Sequence, residues 1–283
     1  MDFKIISTGS KGNCVIIDNK IMVDCGVPFK SIKPYIKKLR LLLLTHEHGD
    51  HFKPETISKL AAERPTLRFG CGKWLLKDLV KCVPKRNIDI YFENAINQYA
   101  DDLKIIMIPT KHNVENCAYK IYTGGRKIFY ATDCNNLDGI TAKNFDLYMV
   151  EANYEDKEIQ ERIAEKKATG QYCYEYQVLN NHLSKKKADE FIIANAGENS
   201  RFVYLHGHEG TGCCGCPISY KAVDDLEKIR PYEPNVVKAA WNIFGDSYRY
   251  RQKYNEYKFR RQEEEKQGDQ LYLFDEKEKE NKQ

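Results

Sequence analysis

The sequence predicts an α/β fold in which short buried strands alternate with helices. Several short apolar runs end at a polar residue, such as 41–44 before His46 and 127–132 before Asp133. Between such runs, apolar positions spaced three and four residues apart indicate helices, as in 54–62. The chain has 283 residues, which is enough for one large domain and an appendage.

The densest chemical signal is the segment His46-Glu47-His48-Gly49-Asp50-His51, which contains three of the seven histidines of the chain. His46 and His48 alternate, so they face the same side of an extended chain. Imidazole and carboxylate groups are ligands for Zn²⁺, Mn²⁺ and Fe. Two such ions about 3.5–4 Å apart can hold the attacking and leaving oxygens of a displacement. The loop therefore predicts a metal site, and chance histidines in a polar loop are the weaker alternative.

This segment resembles the His-x-His-x-Asp-His motif of the metallo-β-lactamase fold, which lies at the end of a strand. The resemblance implies an αββα sandwich and two divalent metal ions, either Zn²⁺ or Mn²⁺. It assigns ligands to each ion in the order of the family: His46, His48 and His112 to the first, Asp50, His51 and His206 to the second, and Asp133 to both. His208 is an alternative to His206, which is favoured because it directly follows the apolar run 202–205.

Two further residues resemble the nuclease and phosphodiesterase branches of this fold, which include tRNase Z and the YycJ/WalJ-type bacterial proteins. The segment His182-Leu183-Ser184 precedes a predicted helix at 185–194, with Ser184 as its N-cap. The resemblance implies that His182 binds no metal and donates a proton to the leaving oxygen, while Glu151 orients it. Asp50 completes the predicted catalytic set. A helix-capping histidine and a surface carboxylate are the alternatives for His182 and Glu151.

The polar loop near the N-terminus contains Ser10-Lys11-Gly12-Asn13 and resembles the start of YycJ-like chains. Its glycines would let backbone N–H groups approach an anion, so Ser10 and Asn13 are predicted to contact the substrate phosphate. A tight loop without this role is the alternative. Asp24 matches a family carboxylate that lies behind the metal ions and supports their ligands.

Composition and charge limit the partners and the cellular location that we expect for the protein. The net charge of +4 only weakly favours nucleic acid as a partner. No apolar run approaches the roughly 20 residues of a membrane span, and the start lacks the pattern of a signal peptide. We therefore expect no membrane partner, a cytoplasmic location and reduced thiols at the ten cysteines. Cys213, Cys214 and Cys216 are interpreted as structural thiols rather than as a further metal site.

The chain is predicted to have two parts, a hydrolase domain at 1–245 and a tail at 246–283. Basic residues and tyrosines are interleaved up to residue 262, which indicates either an arm on a nucleic-acid backbone or a helix packed by its tyrosines. Further on, Gln270-Leu271-Tyr272-Leu273-Phe274 resembles the pentapeptide that binds the bacterial sliding clamp. The resemblance implies clamp contacts from Gln270, Leu271, Leu273 and Phe274. Alternatively, these apolar side chains fold back onto their own domain.

Together these features predict a dinuclear metal-dependent phosphodiesterase, a DNA exonuclease that acts with a replication sliding clamp. An RNA-processing nuclease or a phosphodiesterase of small cyclic nucleotides is the first alternative. A non-catalytic clamp-associated binding module is the second, and the full set of seven matched ligand positions argues against it.

Overall fold

A computed structural model of the protein describes residues 2–100 and 102–207, together with eleven separate positions between 223 and 253. The chain divides into two compact units, residues 1–211 and 212–283. All predicted metal-binding and catalytic residues belong to the first unit. The domain boundary predicted at residue 245 lies outside the described residues and stays a prediction.

The first unit contains two six-stranded sheets. The first sheet has its strands side by side in chain order: β1 (Phe3–Ser7), β2 (Cys14–Ile17), β3 (Ile21–Val23), β4 (Leu41–Leu44), β5 (Arg68–Gly72) and β6 (Ile88–Tyr91). The second sheet also keeps chain order: β7 (Ile96–Ala100), β8 (Leu103–Thr110), β9 (Asn116–Thr123), β10 (Arg126–Ala131), β11 (Leu147–Ala152) and β12 (Arg201–Gly207).

Each sheet combines antiparallel hairpins with a parallel part. Strands β3 to β6 are parallel in the first sheet, and β10 to β12 are parallel in the second. The carboxyl ends of parallel strands meet at one edge of a sheet, which is where open α/β sheets bind ligands. The topology therefore collects the polar residues that end these strands.

Within residues 2–100 and 102–207, six α-helices connect the strands: α1 (Phe29–Ile32), α2 (Pro54–Glu63), α3 (Leu76–Leu79), α4 (Asp156–Ala168), α5 (Glu175–Asn181) and α6 (Lys185–Asn195). The helix predicted at 54–62 is confirmed, with Pro54 in its first turn, where a missing N–H costs nothing. The helix predicted at 185–194 is also confirmed. Its predicted cap, Ser184, accepts the N–H of Lys187 at 3.3 Å.

The apolar run of β4 shows how the layers form, because all four of its leucines are fully buried. Leu41 and Leu43 belong to the core between the two sheets. Leu42 and Leu44 alternate with them and pack in the core on the other face, which also contains Ile57 of α2. Helix α6 similarly joins a core on the outer face of the second sheet. The predicted αββα sandwich is thus confirmed.

One hydrogen bond between the sheets fixes the end of β4. The hydroxyl of Tyr119 on β9 donates to the carbonyl oxygen of Leu44 at 2.5 Å, and both residues are fully buried. A buried carbonyl without a partner costs about 1–3 kcal/mol. The contact therefore anchors the strand at the point from which the chain continues to His46.

The described residues of the second unit form a small hydrophobic cluster of their own. Leu226, Val237 and Tyr248 are buried, and the ring of Trp241 lies 5.1 Å from that of Tyr248. The cysteines predicted to be structural thiols, the remaining tyrosines of the tail and residues 270–274 lie outside the described residues. Within the described part of the chain, no helix is long and apolar enough to cross a membrane.

Candidate metal centre

Four side chains from both sheets converge at the carboxyl ends of the parallel strands. The ligand atoms of His46, His48, His112 and Asp133 all lie within 4.8 Å of one another. His46 Nε2 lies 3.1 Å from His48 Nδ1 and 3.3 Å from Asp133 Oδ2, and His48 Nδ1 lies 3.4 Å from His112 Nε2. In a tetrahedral site with bonds of about 2.0–2.1 Å, neighbouring ligand atoms are roughly 3.3 Å apart. We call these four residues the first cluster, and their spacing fits a divalent ion.

The hydrogen bonds behind the first cluster leave the inward-facing ring nitrogens free. His46 Nδ1 lies 3.0 Å from Thr45 Oγ1, and His112 Nδ1 donates to the carbonyl oxygen of Asn181 at 2.9 Å. Burial lowers the pKa of His112 to about 4, and it also lowers the pKa of His48. Both imidazoles are therefore neutral near pH 7, as a metal ligand must be.

Asp24, which follows β3, is fully buried and supports histidines that belong to both parts of the site. Its carboxylate accepts hydrogen bonds from the N–H and the hydroxyl of Thr45, each at 2.9 Å, and from His51 Nδ1 at 2.8 Å. Since the same Thr45 hydroxyl contacts His46, this one carboxylate orients two imidazoles. A carboxylate behind a metal-binding histidine fixes the tautomer and the orientation of the ring.

A second cluster consists of Asp50, His51 and Asp133. His51 Nε2 lies 2.7 Å from Asp133 Oδ2 and 3.7 Å from Asp50 Oδ2. Burial would raise the pKa of Asp133, but the charges of His206 and His51 outweigh it and hold that pKa well below its usual value. Asp133 belongs to both clusters, in the arrangement required of a shared carboxylate. The side chain of Asp50 is 30% exposed.

His206 differs from the other predicted ligands because an asparagine side chain lies between its ring and that of His51. Its Nδ1 lies 3.1 Å from Asp133 Oδ1 and 3.7 Å from Glu151 Oε1. Its Nε2 lies 2.6 Å from Asn13 Oδ1, and the Nδ2 of the same amide lies 2.7 Å from His51 Nε2. The buried amide of Asn13 therefore lies between the two imidazoles.

The two residues predicted to bind phosphate differ in their exposure to solvent. Asn13 is 2% exposed, whereas Ser10 is exposed on the same loop. The role predicted for the two residues stays a prediction. His208, the alternative to His206, lies outside the described residues.

A glycine contact explains how the loop of Asn13 reaches the metal loop. A Cβ atom on Gly26 would meet the carbonyl oxygen of Asp50 at 1.7 Å, which no side chain could tolerate. The N–H of Asn13 donates to the same carbonyl at 2.6 Å, and the N–H of Gly26 donates to the carbonyl of Asn13 at 3.0 Å. Three loops therefore pack backbone to backbone, and the missing side chain at Gly26 permits it.

His182 lies beside the clusters and is held by a buried carboxylate. Its Nδ1 lies 2.6 Å from Oε1 of Glu151, which is fully buried, and 3.6 Å from Asp133 Oδ1. Burial alone would lower the pKa of His182, but the hydrogen bond and charge of Glu151 outweigh it, so the pKa is raised. The backbone of His182 ends α5, whereas its ring contacts Glu151.

Sequence analysis missed two asparagines that shape the site. The amide of Asn116 donates to the carbonyl oxygens of Thr132 and Asp133, at 3.0 and 2.7 Å. The amide of Asn135 donates to the carbonyls of residues 179 and 180, at 3.1 and 2.7 Å, which holds the end of α5. Neither residue belongs to a motif, and the only available signal was that each is a polar residue close to a predicted ligand.

We expect the substitution Asp24→Asn to weaken metal binding by about 10- to 100-fold, the usual effect of removing such a supporting carboxylate. An amide offers one acceptor oxygen where the donors of Thr45 and His51 now meet two. The measurement is competition for Zn²⁺ against a chelator of known affinity. Asp78→Asn is the matched control, because Asp78 pairs with Lys81 on the surface. Equal affinities for the two variants would contradict the role given to Asp24.

Comparison with known proteins agrees with this geometry. The family model described as a beta-lactamase superfamily domain matches residues 19–192. The chain is 25% identical over 228 residues to the exodeoxyribonuclease WalJ of Streptococcus pneumoniae, covering 73% of this chain and 80% of that protein. It is 21% identical over 170 residues to the exodeoxyribonuclease YycJ of Bacillus anthracis, covering 55% and 64%.

Two solved structures share the fold. The metallo-beta-lactamase fold protein YhfI from Bacillus subtilis superposes with a TM-score of 0.56 at 20% identity, covering 74% of this chain and 87% of that one. The short form of human tRNase Z superposes with a TM-score of 0.53 at 16% identity, covering 73% and 93%. The match of the family model over most of the first unit shows that this chain belongs to the beta-lactamase superfamily, as a metal-dependent hydrolase with the metallo-β-lactamase fold.

Proposed function

We propose that the chain is a dinuclear metal-dependent phosphodiesterase that acts as a DNA exonuclease. The observation that carries the proposal is the pair of His182 and buried Glu151, 2.6 Å apart and next to the metal clusters. This pair offers a proton to a leaving oxygen at the place where cations can hold a phosphate. The similarity to two exodeoxyribonucleases, at 21–25% identity, supports DNA as the substrate.

The proposed ligands are the members of the two clusters together with His206. The first ion would be held by His46, His48 and His112, the second by Asp50, His51 and His206, and both by Asp133. Imidazole and carboxylate ligands suit Zn²⁺ or Mn²⁺. When bound, the ions would supply the positive charge that activates a water and offsets the charge of the phosphate.

The residues of the chain then have separate tasks. His182 donates its proton to the leaving oxygen, and Glu151 orients that imidazole and favours its protonated form. The side chain of Asp50 is 30% exposed, so water can reach its carboxylate. Oxygen atoms of a DNA backbone leave as alkoxides unless they are protonated, so a fixed donor accelerates the step.

The substitution His182→Ala should keep both metal ions and lower turnover by about 10²- to 10⁴-fold, the usual range for an acid–base residue. The measurements are metal analysis of the purified protein and cleavage of end-labelled DNA in the presence of Mn²⁺. Single- and double-stranded DNA, RNA and cyclic nucleotides serve as parallel substrates, which separate the exonuclease from its alternatives.

Two other histidines provide the controls for this experiment. His206→Ala should lower the metal content toward one ion per chain, while His208→Ala should leave it near two. Loss of an ion from His182→Ala would instead make His182 a ligand, together with its neighbours Asp133, Glu151 and His206. A wild-type chain that cleaves none of the substrates would refute the proposed function.

The substitution Glu151→Gln tests how the donor is kept protonated. A general acid works only while protonated, so the rate falls as the pH rises through its pKa. Because Glu151 raises the pKa of His182, its loss should move the alkaline limb of the kcat profile to lower pH. Glu155→Gln, an exposed carboxylate four residues further on, is the control and should leave the profile in place. If the alkaline limb of the kcat profile stayed at the wild-type pH in Glu151→Gln, His182 would not be the general acid.

We further propose that residues 270–274 bring the enzyme to a replication sliding clamp. A peptide that orders on binding is expected to bind with micromolar affinity, about −8 kcal/mol. Calorimetric titration of the full chain into a bacterial clamp should show this affinity, and the double substitution of Leu273 and Phe274 by alanine should abolish it. Tyr272→Ala, at the variable position of the motif, is the matched control and should bind within about 2-fold of the wild type. Binding that survives the double substitution would exclude this segment as the clamp contact.

A further inference from the structure

Three tyrosines are exposed on the segment between α4 and α5. Tyr172, Tyr174 and Tyr176 alternate along the chain and are 74%, 54% and 42% exposed. Among the described residues, eight large hydrophobic side chains are at least 40% exposed, and three of them fall within these five positions. Large aromatic rings gathered on a surface mark a binding site more often than isolated ones do. We call these three rings the tyrosine platform.

The packing of this region does not depend on the platform. Helices α4 and α5 share a separate core in which Ile159 and Ile163 are buried, with Val178 and Leu179 packed against them. The platform rings make polar and cationic contacts instead. Gln177 Nε2 donates to the hydroxyl of Tyr172 at 2.9 Å, and Lys167 Nζ lies 5.5 Å from the centre of the Tyr176 ring. These contacts leave the three rings exposed, with Lys167 over one face of Tyr176.

The platform is joined rigidly to the reaction centre through α5. This helix starts at Glu175, within the platform segment, and its C-cap is His182. Its last carbonyls are held by Asn135 and by His112 of the first cluster. Seven helical residues rise about 10 Å. The platform thus begins about 10 Å along the helix from the proposed proton donor.

Three lysines follow His182 in the chain. Lys185, Lys186 and Lys187 open α6, and Lys186 and Lys187 are exposed. Lysine side chains neutralise backbone phosphates, and aromatic rings stack on unpaired bases of any sequence. Only a single strand offers both, because the bases of a duplex already stack on one another.

We propose that the tyrosine platform stacks the bases of a single-stranded nucleic acid, with the scissile phosphate at His182 and the adjoining backbone on the lysines of α6. The inference rests on the proposed nuclease function and deepens it by naming a single-stranded end as the substrate. Stacked bases are about 3.4 Å apart, so a strand reaches the platform roughly three nucleotides from the reaction centre.

The test compares two triple variants of the full metal-loaded chain, one with all three tyrosines changed to alanine and one with all three changed to phenylalanine. Fluorescence anisotropy measures the affinity for oligonucleotides of two to ten nucleotides. Wild-type affinity should rise with length beyond about four nucleotides. The alanine variant should lose about 10²- to 10³-fold for the longer strands and little for dinucleotides. The phenylalanine variant should remain within about 3-fold of the wild type, because it keeps the rings.

Phe202→Ala is the matched control, since Phe202 is an aromatic residue 41% exposed at the start of β12, away from the end that carries His206. It should bind like the wild type. Hydrolysis of bis(p-nitrophenyl) phosphate reports the reaction centre separately. For the alanine variant, kcat/KM on a ten-nucleotide strand should fall about 100-fold or more relative to kcat/KM on this small diester.

The outcomes separate this inference from the proposed function. Equal binding of single strands by the wild type and the alanine variant overturns the platform, even if the chain cleaves DNA. An equal loss in the phenylalanine variant overturns the stacking account. Tyrosine-dependent binding by a wild type that cleaves no nucleic acid would overturn the nuclease and leave the platform in place.

Discussion

The carboxylate of Asp24 fixes the geometry on which the site depends. It lies fully buried after β3 and gathers three donors, the N–H and hydroxyl of Thr45 and the ring of His51. Burying a charge costs free energy unless the charge is well paired. The three donors offset this cost only where the carboxylate now lies, so they fix its position. Since Thr45 in turn contacts His46, the two imidazoles are oriented relative to each other by the protein itself. A metal ion would thus enter a site that is already shaped.

Three predicted site residues near strand ends have left-handed backbone. Asp24, Asp133 and His206 have φ values of +58°, +48° and +49°, a region that costs most L-residues about 1–2 kcal/mol. Hydrogen bonds offset this cost, as where the amide of Asn116 donates to the carbonyl of Asp133. The N–H of His206 likewise donates to Thr8 Oγ1 at 3.0 Å. The turn at each strand end interrupts the alternation of side chains between the two faces of the sheet. The polar side chain at the turn then points toward the metal-binding clusters.

The pattern of buried runs was enough to predict an α/β fold, because strands covered on both faces must be apolar throughout, as β4 is. The family resemblance then implied the sandwich. The pattern also located the polar residues that follow such strands, and the family resemblance gave them an order. The position of Asn13 was not predictable. Whether a loop amide faces solvent or the site depends on contacts with residues such as Asp50, 37 positions away. The tyrosine platform was missed for a related reason, since exposure is a property of the folded surface and alternating tyrosines also occur in strands.

Two neighbouring imidazoles have partners of different charge, and their pKa values shift in opposite directions. Glu151 on β11 accepts the N–H groups of Cys134 and Leu183, at 2.9 and 3.4 Å, which sets the spacing between the residues just before them, Asp133 and His182. His112 has a neutral carbonyl as its partner, so burial prevails and its pKa falls to about 4. His182 has a carboxylate as its partner, so its pKa rises against the same effect of burial. Pairs of like groups whose surroundings drive their pKa values apart mark different tasks. Here one ring, only 5.4 Å from the other, is free to bind a cation, while its neighbour is kept ready to give up a proton.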